Sequence, residues 1–248
     1  GRVRELDPEV RMDVVGGVWF EQDCHLDPLE FMEELRRGIR EREGTFLDDE
    51  AKDFIRQGNQ LTAVETAKGE RLKADWFVLA GGAWTPEMTH QLGLRLPMQG
   101  GKGYSLTLKN PTELPRLCSL LKEARVAVTP MGEKLRVGGT MEICGTDLSV
   151  SHKRVQGIIE SFCRFFSAFK ESDFEGIEPW SGLRPCTPDG LPSIGPIPGM
   201  QNATVATGHA MLGLSLGPVT GKLVTDLITQ GKPELEVDLL KLAPERFG

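Results

Sequence analysis

The 248-residue sequence has one tyrosine, four histidines and five cysteines, and each scarcity excludes something. Cys24, Cys118, Cys144, Cys163 and Cys186 are scattered, odd in number and never spaced as CxxC. They read as reduced thiols rather than as a disulfide framework or a zinc site. His25, His90, His152 and His209 lie far apart, and none has a helical His or Glu partner at ligand spacing, so no metal site is expected. No apolar run approaches the roughly 18 residues that a spanning helix needs. Basic residues are short as well: 29 Lys+Arg against 36 Asp+Glu leave a net charge of −7. With no arginine- or lysine-rich stripe to meet a phosphate backbone, a nucleic-acid partner is not expected. No internal repeat or low-complexity segment stands out.

Glycine, by contrast, is plentiful. Most of the 29 glycines fall between Gly81 and Gly221, where they mark close backbone approaches. Around them the pattern is that of an ordinary globular chain, long enough to bury a sizeable core. "HLDPLEFMEELRRGIREREG" predicts a helix with Asp27 as N-cap, Pro28 at the first position, Glu30 completing a capping box and Leu26 with Phe31 as a staple. Its apolar stripe predicts packing on a sheet or another helix. "LTAVET", "AKGE" and "WFVLA" read as strand, turn and a strand buried on both faces. That last strand runs into Gly81 and Gly82, which mark either a chain crossing close under a ligand or a tight turn. "TPEM" then starts a short helix with Thr85 as cap.

"GYSLTL", "ARVAVTP" and "KLRVGGTMEI" read as strands of a mixed or antiparallel sheet, and a helix over about 152–170 carries phenylalanines suited to a core. "GLRPCTPDGLPSIGPIPG" reads as a loop stiffened by five prolines, "ATVAT" as a short strand, and the last helix runs to Gly231.

The segment "TGHAMLGLSLGPVTGKL" sets a glycine-lined entry ahead of that last helix. A P-loop requires GxxxxGK[ST]; Gly208 and Gly213 have the spacing, but Leu214 stands in the lysine position. Neither this segment nor "GGKG" at 100–103 supplies a GxGxxG fingerprint after a strand, and no GxSxG elbow occurs. What remains is a helix entry presenting unpaired N–H groups and a partial charge of roughly +0.5. Without a lysine, its natural guest is a delocalised anion, such as the N1 and C2-carbonyl edge of a reduced flavin.

"WSGLRPCTPDGLPSIG" followed by "TGHAMLGLSLGPVTGKLVTDLITQGKP" resembles the C-terminal signature of the FAD-dependent glycine/D-amino-acid oxidase (DAO) family, closest to its bacterial D-amino-acid dehydrogenase branch. "DCHLDPLEFMEELRRGIREREG", "VETAKGERLKADWFVLAGGAW" and "GGKGYSLTL" resemble earlier segments of that family in the same order. The resemblance implies an α+β/α/β chain: an incomplete FAD-binding Rossmann-like domain plus a mixed or antiparallel-sheet substrate-binding domain. On this reading residues 1–25 and 96–180 belong to the substrate domain, and 26–95 and 181–248 to the FAD-binding domain. Because the family opens with a strand–GxGxxG–helix unit that has no counterpart here, the resemblance also implies a C-terminal portion of a longer flavoprotein, holding FAD poorly and inactive by itself.

The roles follow from the same resemblance. Arg184 pairs with the substrate carboxylate through its planar fork, and the alternative is an arginine tied to an acid such as Asp189. Tyr104 assists in the substrate pocket, or is an ordinary core tyrosine; Thr140 and Glu142 fall near that pocket. Gly81, Gly82 and Trp84 pass under the cofactor and Gly182 lies near its ring. Gly208, Met211, Leu212, Gly213 and Leu214 line the flavin edge with backbone, and His209 serves by position rather than by acid–base chemistry. FAD is expected to be non-covalent. The implied reaction moves hydride from the substrate Cα to the flavin, and the imine then hydrolyses. Oxygen or a quinone is the electron acceptor, and a cytoplasmic site, at the membrane surface in the quinone case, is implied. A glycine, sarcosine or 2-hydroxy-acid oxidase-like relative, and a non-catalytic module that has lost the cofactor, remain open at this stage.

Overall fold

The computed structural model describes residues 2–247, which fold as two compact units. The first takes residues up to 42 together with 102–142 and 148–182; the second takes 43–101, 143–147 and 183 onward. Helices α1 (Arg2–Leu6) and α2 (Pro28–Arg40) lie in the first unit. Strands β1 (Ala51–Gln57), β2 (Gln60–Thr66), β3 (Arg71–Leu72) and β4 (Phe77–Leu79) and helix α3 (Thr85–Gln91) follow in the second. Most of β5 (Gln99–Leu108), then β6 (Ser119–Leu121), β7 (Val126–Met131), β8 (Lys134–Ile143) and α4 (His152–Phe165), build the first unit. After β9 (Trp180–Cys186) the second unit closes with β10 (Ser193–Pro196), β11 (Ala203–Thr207), α5 (Gly213–Gln230) and α6 (Leu239–Leu242). The expected division put residues 26–42 with the FAD-binding part, whereas they fall in the first unit.

The first unit supplies most of a five-stranded sheet in the order β6-β7-β8-β5-β9. Alternation puts Val126 and Val128 of β7 and Leu135 and Val137 of β8 on the inner face, where they are buried with Leu106 and Leu108. Helix α4 lays Val155, Ile158, Ile159 and Phe162 into the same core. The helix stops at Phe165, short of the expected Lys170, but the aromatic series continues around the turn. Phe166, Phe169 and Phe174 all reach Phe162, at ring-centroid distances of 4.7, 4.9 and 5.7 Å. Such pairs add about 0.5–1.5 kcal/mol each beyond their buried area.

Helix α2 forms where the sequence places it, and the Asp27 side chain accepts the N–H of Leu29 at 2.8 Å. The expectation that its apolar stripe packs on another element is not met: Leu29, Met32, Leu35 and Ile39 are 45–68% exposed and the helix buries no residue. Amphipathy decides which residues share a face; it does not supply the surface that covers them.

In the second unit β4 and β11 pair in parallel, and β10 joins β11 antiparallel. Phe77, Leu79, Ala203 and Val205 bury themselves against Leu61, Leu92, Leu94, Leu96 and Ile197. Strand β4 is not buried on both faces as expected, since Val78 is 44% exposed. It is the end strand of its three-stranded sheet, covered on one side. Residues 182–186, expected as the start of a proline-stiffened loop, instead belong to β9. That strand closes one end of its sheet, the position in which a strand proline such as Pro185 is tolerated. The expected Thr85 cap is displaced by one position: Trp84 is the N-cap and Thr85 the first helical residue. Helix α5 ends where expected, with Gly231 at φ +73° as a left-handed C-cap. Among the described residues no helix is long and apolar enough to cross a membrane, and no cluster of His, Cys, Asp and Glu could hold a metal ion.

Candidate functional site

The second unit brings most of the sequence-predicted residues together at the ends of two parallel strands. Strands β4 and β11 finish side by side, and each runs into glycine: Gly81 and Gly82 after β4, Gly208 after β11. The Thr207 hydroxyl donates to the Gly82 carbonyl at 3.0 Å, tying the two strand ends together. Both glycine segments need their glycines. Gly82 and Gly208 have φ +56° and +84°, and a Cβ on Gly208 would stand 2.8 Å from Thr187 Cγ2. On Gly81 it would meet Met88 Sδ at 2.9 Å. Ligands in open α/β sheets gather at this carboxyl edge of parallel strands. Trp84, one 3₁₀ turn further on, is exposed.

From Gly208 the chain passes through His209 and Ala210, itself at φ +46°, into the first turn of α5. No side chain caps that turn and no acidic residue occupies it. Met211, Leu212 and Leu214 are exposed, and a Cβ on Gly213 would meet only His209 Cβ, at 3.7 Å. The leading N–H groups of α5 therefore face outward with a partial positive charge, a donor set for a polar acceptor edge. His209 Nε2 lies 2.8 Å from Thr220 Oγ1, and burial pulls the histidine's pKa below the ordinary value, leaving the ring neutral at pH 7.

Arg184 reaches this loop through its strand. Two residues beyond it Cys186 bridges His209, and between them the Pro185 carbonyl accepts the N–H of Ala210 at 2.9 Å. The end of β9 is thus stitched to residues 209–210. The Arg184 guanidinium is half-buried and donates to the Gly101 carbonyl at 3.4 Å. Burial lowers its pKa, yet a guanidinium stays charged at neutral pH. The acid left open as its partner, Asp189, has both oxygens engaged by Arg246, at 2.8 and 3.0 Å.

Tyr104, Thr140, Glu142 and Gly182 lie in the first unit. Tyr104 is 2% exposed within the core, donates its hydroxyl to Glu142 Oε2 at 3.1 Å and accepts the N–H of Ser151 at 3.3 Å. Arg154 Nε completes the group at 3.0 Å from the same carboxylate oxygen. Thr140, a β-branched residue, sits at φ +64°, a strained backbone state costing of order 1–3 kcal/mol. Gly182 has a local reason to be glycine: a Cβ there would lie 2.2 Å from the Trp180 ring. Lys102, also buried, donates to the Ser149 carbonyl at 2.7 Å and stands 5.9 Å from the centre of the Tyr104 ring. Sequence reasoning missed Lys102, Ser151, Arg154 and Arg246. None has a motif or spacing that marks it, because each acts on a partner placed by tertiary folding.

The family model DAO, FAD dependent oxidoreductase, matches residues 1–227. A D-amino acid dehydrogenase of Xanthobacter autotrophicus is 36% identical over 241 residues, covering 94% of this chain and 56% of the relative. One from Methylobacterium radiotolerans is 38% identical over 187 residues, 75% of this chain and 44% of the relative. The chain thus spans about half the length of the curated relatives it matches. Among solved structures, L-proline dehydrogenase from P. horikoshii superposes with a TM-score of 0.83 at 23% identity, covering 99% of this chain and 67% of that one, a likeness of fold. Glycine oxidase from Geobacillus kaustophilus gives 0.69 at 29% identity, covering 81% of this chain and 53% of that one.

Proposed function

The chain belongs to the DAO family of FAD dependent oxidoreductases, and on that footing we propose that it supplies the carboxylate-binding arginine and the flavin-facing donor loop of an amino-acid dehydrogenase. The observation that carries this reading is the stitching of β9 to residues 209–210, which sets Arg184 beside an uncapped helix entry. The residues fit the cofactor: two parallel strands end side by side in glycine turns, and the open first turn of α5 offers donors without a competing acid. Gly81, Gly82 and Trp84 would lie along one side of FAD, and the backbone of Gly208, Met211, Leu212, Gly213 and Leu214 along its polar edge. Bound there, FAD supplies the two-electron acceptor for oxidation of a carbon–nitrogen bond.

The protein's own part is binding and orientation. Arg184 takes the substrate carboxylate in a bidentate grip and so fixes the attitude of the neighbouring carbon. Half-burial strengthens the grip, because fewer waters compete for the guanidinium. His209 stays neutral and holds the loop to α5 through Thr220. Within the first unit Tyr104 and Arg154 fix the Glu142 carboxylate, so Tyr104 serves by bracing Glu142. D-amino acids are the substrates this reading favours, as the names of the relatives 33–38% identical indicate for those proteins.

The test is Arg184→Ala in the full-length protein, assayed with D-amino acids and an artificial electron acceptor. Loss of a charged, partly desolvated pairing is worth about 2–4 kcal/mol, so KM rises on the order of 100-fold while the flavin absorbance is retained. Unchanged kinetics would remove Arg184 from the site, and an unaltered KM with flavin lost would reassign it to the cofactor.

A further inference from the structure

Arg246 lies outside the residues that match the family, which end at 227, yet it makes a dense set of hydrogen bonds with the second unit. Its side chain is only 9% exposed. Nε and Nη2 grip the two oxygens of Asp189 at 2.8 and 3.0 Å, and Nη2 also donates to the Leu191 carbonyl at 2.8 Å. Nη1 donates to Ser193 Oγ at 3.0 Å and to the Ala243 and Leu242 carbonyls at 3.1 and 3.3 Å. One guanidinium therefore ties the C-terminal tail to the turn between β9 and β10.

That turn lies directly against the start of the donor loop. A Cβ on Gly208 would be 2.8 Å from Thr187 Cγ2, 3.3 Å from the Ser193 nitrogen and 3.5 Å from Pro192 Cα, all on residues 187–193. Thr187 is held in turn by its hydroxyl's bond to the Leu191 carbonyl at 2.7 Å, the carbonyl that Arg246 also engages. The tail is seated a second time where Pro244 Cδ approaches the position of a Gly195 Cβ at 3.0 Å. The same turn joins β9, whose Cys186 bridges His209. Displacing residues 187–193 would move both walls of the proposed site together.

We infer that Arg246 is a positioning residue: by clamping Asp189, Leu191 and Ser193 it holds the 187–193 turn against Gly208 and thereby fixes the backbone of residues 208–212. That the fixed loop faces flavin rests on the proposed function; that Arg246 fixes it does not. Lysine cannot reproduce the action in full, because a point ammonium has no planar fork to take both Asp189 oxygens.

Amide hydrogen exchange on the full-length protein carrying Arg246→Ala, Arg246→Lys or Asp189→Asn tests this, with bound-flavin absorbance recorded alongside. For Arg246→Ala, exchange in peptides covering 208–216 is expected to quicken about tenfold while peptides covering 155–169 keep their protection. Arg246→Lys should fall between wild type and alanine. Asp189→Asn, which keeps the arginine but removes the charge pair, should loosen the same peptides. In a flavin-bound protein the absorbance band of Arg246→Ala should shift or weaken. Unaltered exchange at 208–216, or an equal rise in all peptides, overturns the inference, the second because it reports general loss of stability. A local rise in a protein whose wild type binds no flavin upholds the clamp and overturns the flavin reading, so the two failures are distinguishable.

Discussion

At the scale of single residues, the charged groups that matter are those whose partners were placed by folding. Asp189 shows the consequence for pH. Its two bonds from Arg246 and one from the Leu191 N–H hold its pKa at about 2, below the ordinary 3.8. A carboxylate lowered in this way adds stability above pH 3.8, and that contribution drains away as pH falls toward 2. Asp189→Asn should therefore lower the urea midpoint at pH 6, with the gap to wild type narrowing between pH 4 and pH 2; a gap independent of pH would place the asparagine's effect elsewhere. Tyr104 offers a charge-free counterpart. Tyr104→Phe keeps the ring in its core but leaves the half-buried Ser151 N–H without its acceptor and Glu142 Oε2 with Arg154 alone, at a cost of about 1 kcal/mol. A cost of that size with KM unchanged would fit the bracing role, whereas a loss confined to turnover would make the hydroxyl a participant in the chemistry.

At the scale of elements, glycine substitutions separate backbone conformation from close approach. Gly231 and Gly208 both have positive φ, +73° and +84°, but a Cβ on Gly231 meets nothing within 4 Å while one on Gly208 meets Thr187 at 2.8 Å. Gly231→Ala should cost about 1 kcal/mol, the conformational penalty alone. Gly208→Ala should cost about 1–3 kcal/mol more, since the turn must shift. Equal losses in thermal denaturation would mean that the turn does not press on the loop. The same contrast shows what the sequence could reveal. Helix α2 with its Asp27 cap, β8 over the whole of "KLRVGGTMEI", and α5 with Gly231 as its stop were legible because local alternation and capping decide them. Strand β9 was not, because Pro185 and the prolines that follow it read as a loop until the sheet order puts that strand at an edge. The glycine entry to α5 could be read, but not the clamp behind it: Asp189 and Arg246 are 57 positions apart and carry no shared motif. Likewise nothing in "GGTMEI" announces that Glu142 meets Arg154.

At the scale of the whole molecule, hydrophobicity in the sequence divides into residues that hold the fold and residues that do not, and periodicity cannot tell them apart. Leu35 and Phe162 sit on helices with equally clear stripes, the one exposed on α2 and the other wholly buried against three further phenylalanines. Phe162→Ala removes a ring that its neighbours cannot replace and should cost about 3–5 kcal/mol, a large share of the 5–15 kcal/mol that a domain has to lose. Leu35→Lys removes no buried contact, keeps a good helix former and should stay within about 0.5 kcal/mol of wild type. Urea unfolding of this 248-residue chain decides the matter, with a large drop in midpoint for the phenylalanine and almost none for the leucine. A drop of comparable size for Leu35→Lys would mean that the α2 stripe is covered in solution, and the assignment of this chain's stability to the cores around Phe162 and Val205 would fall.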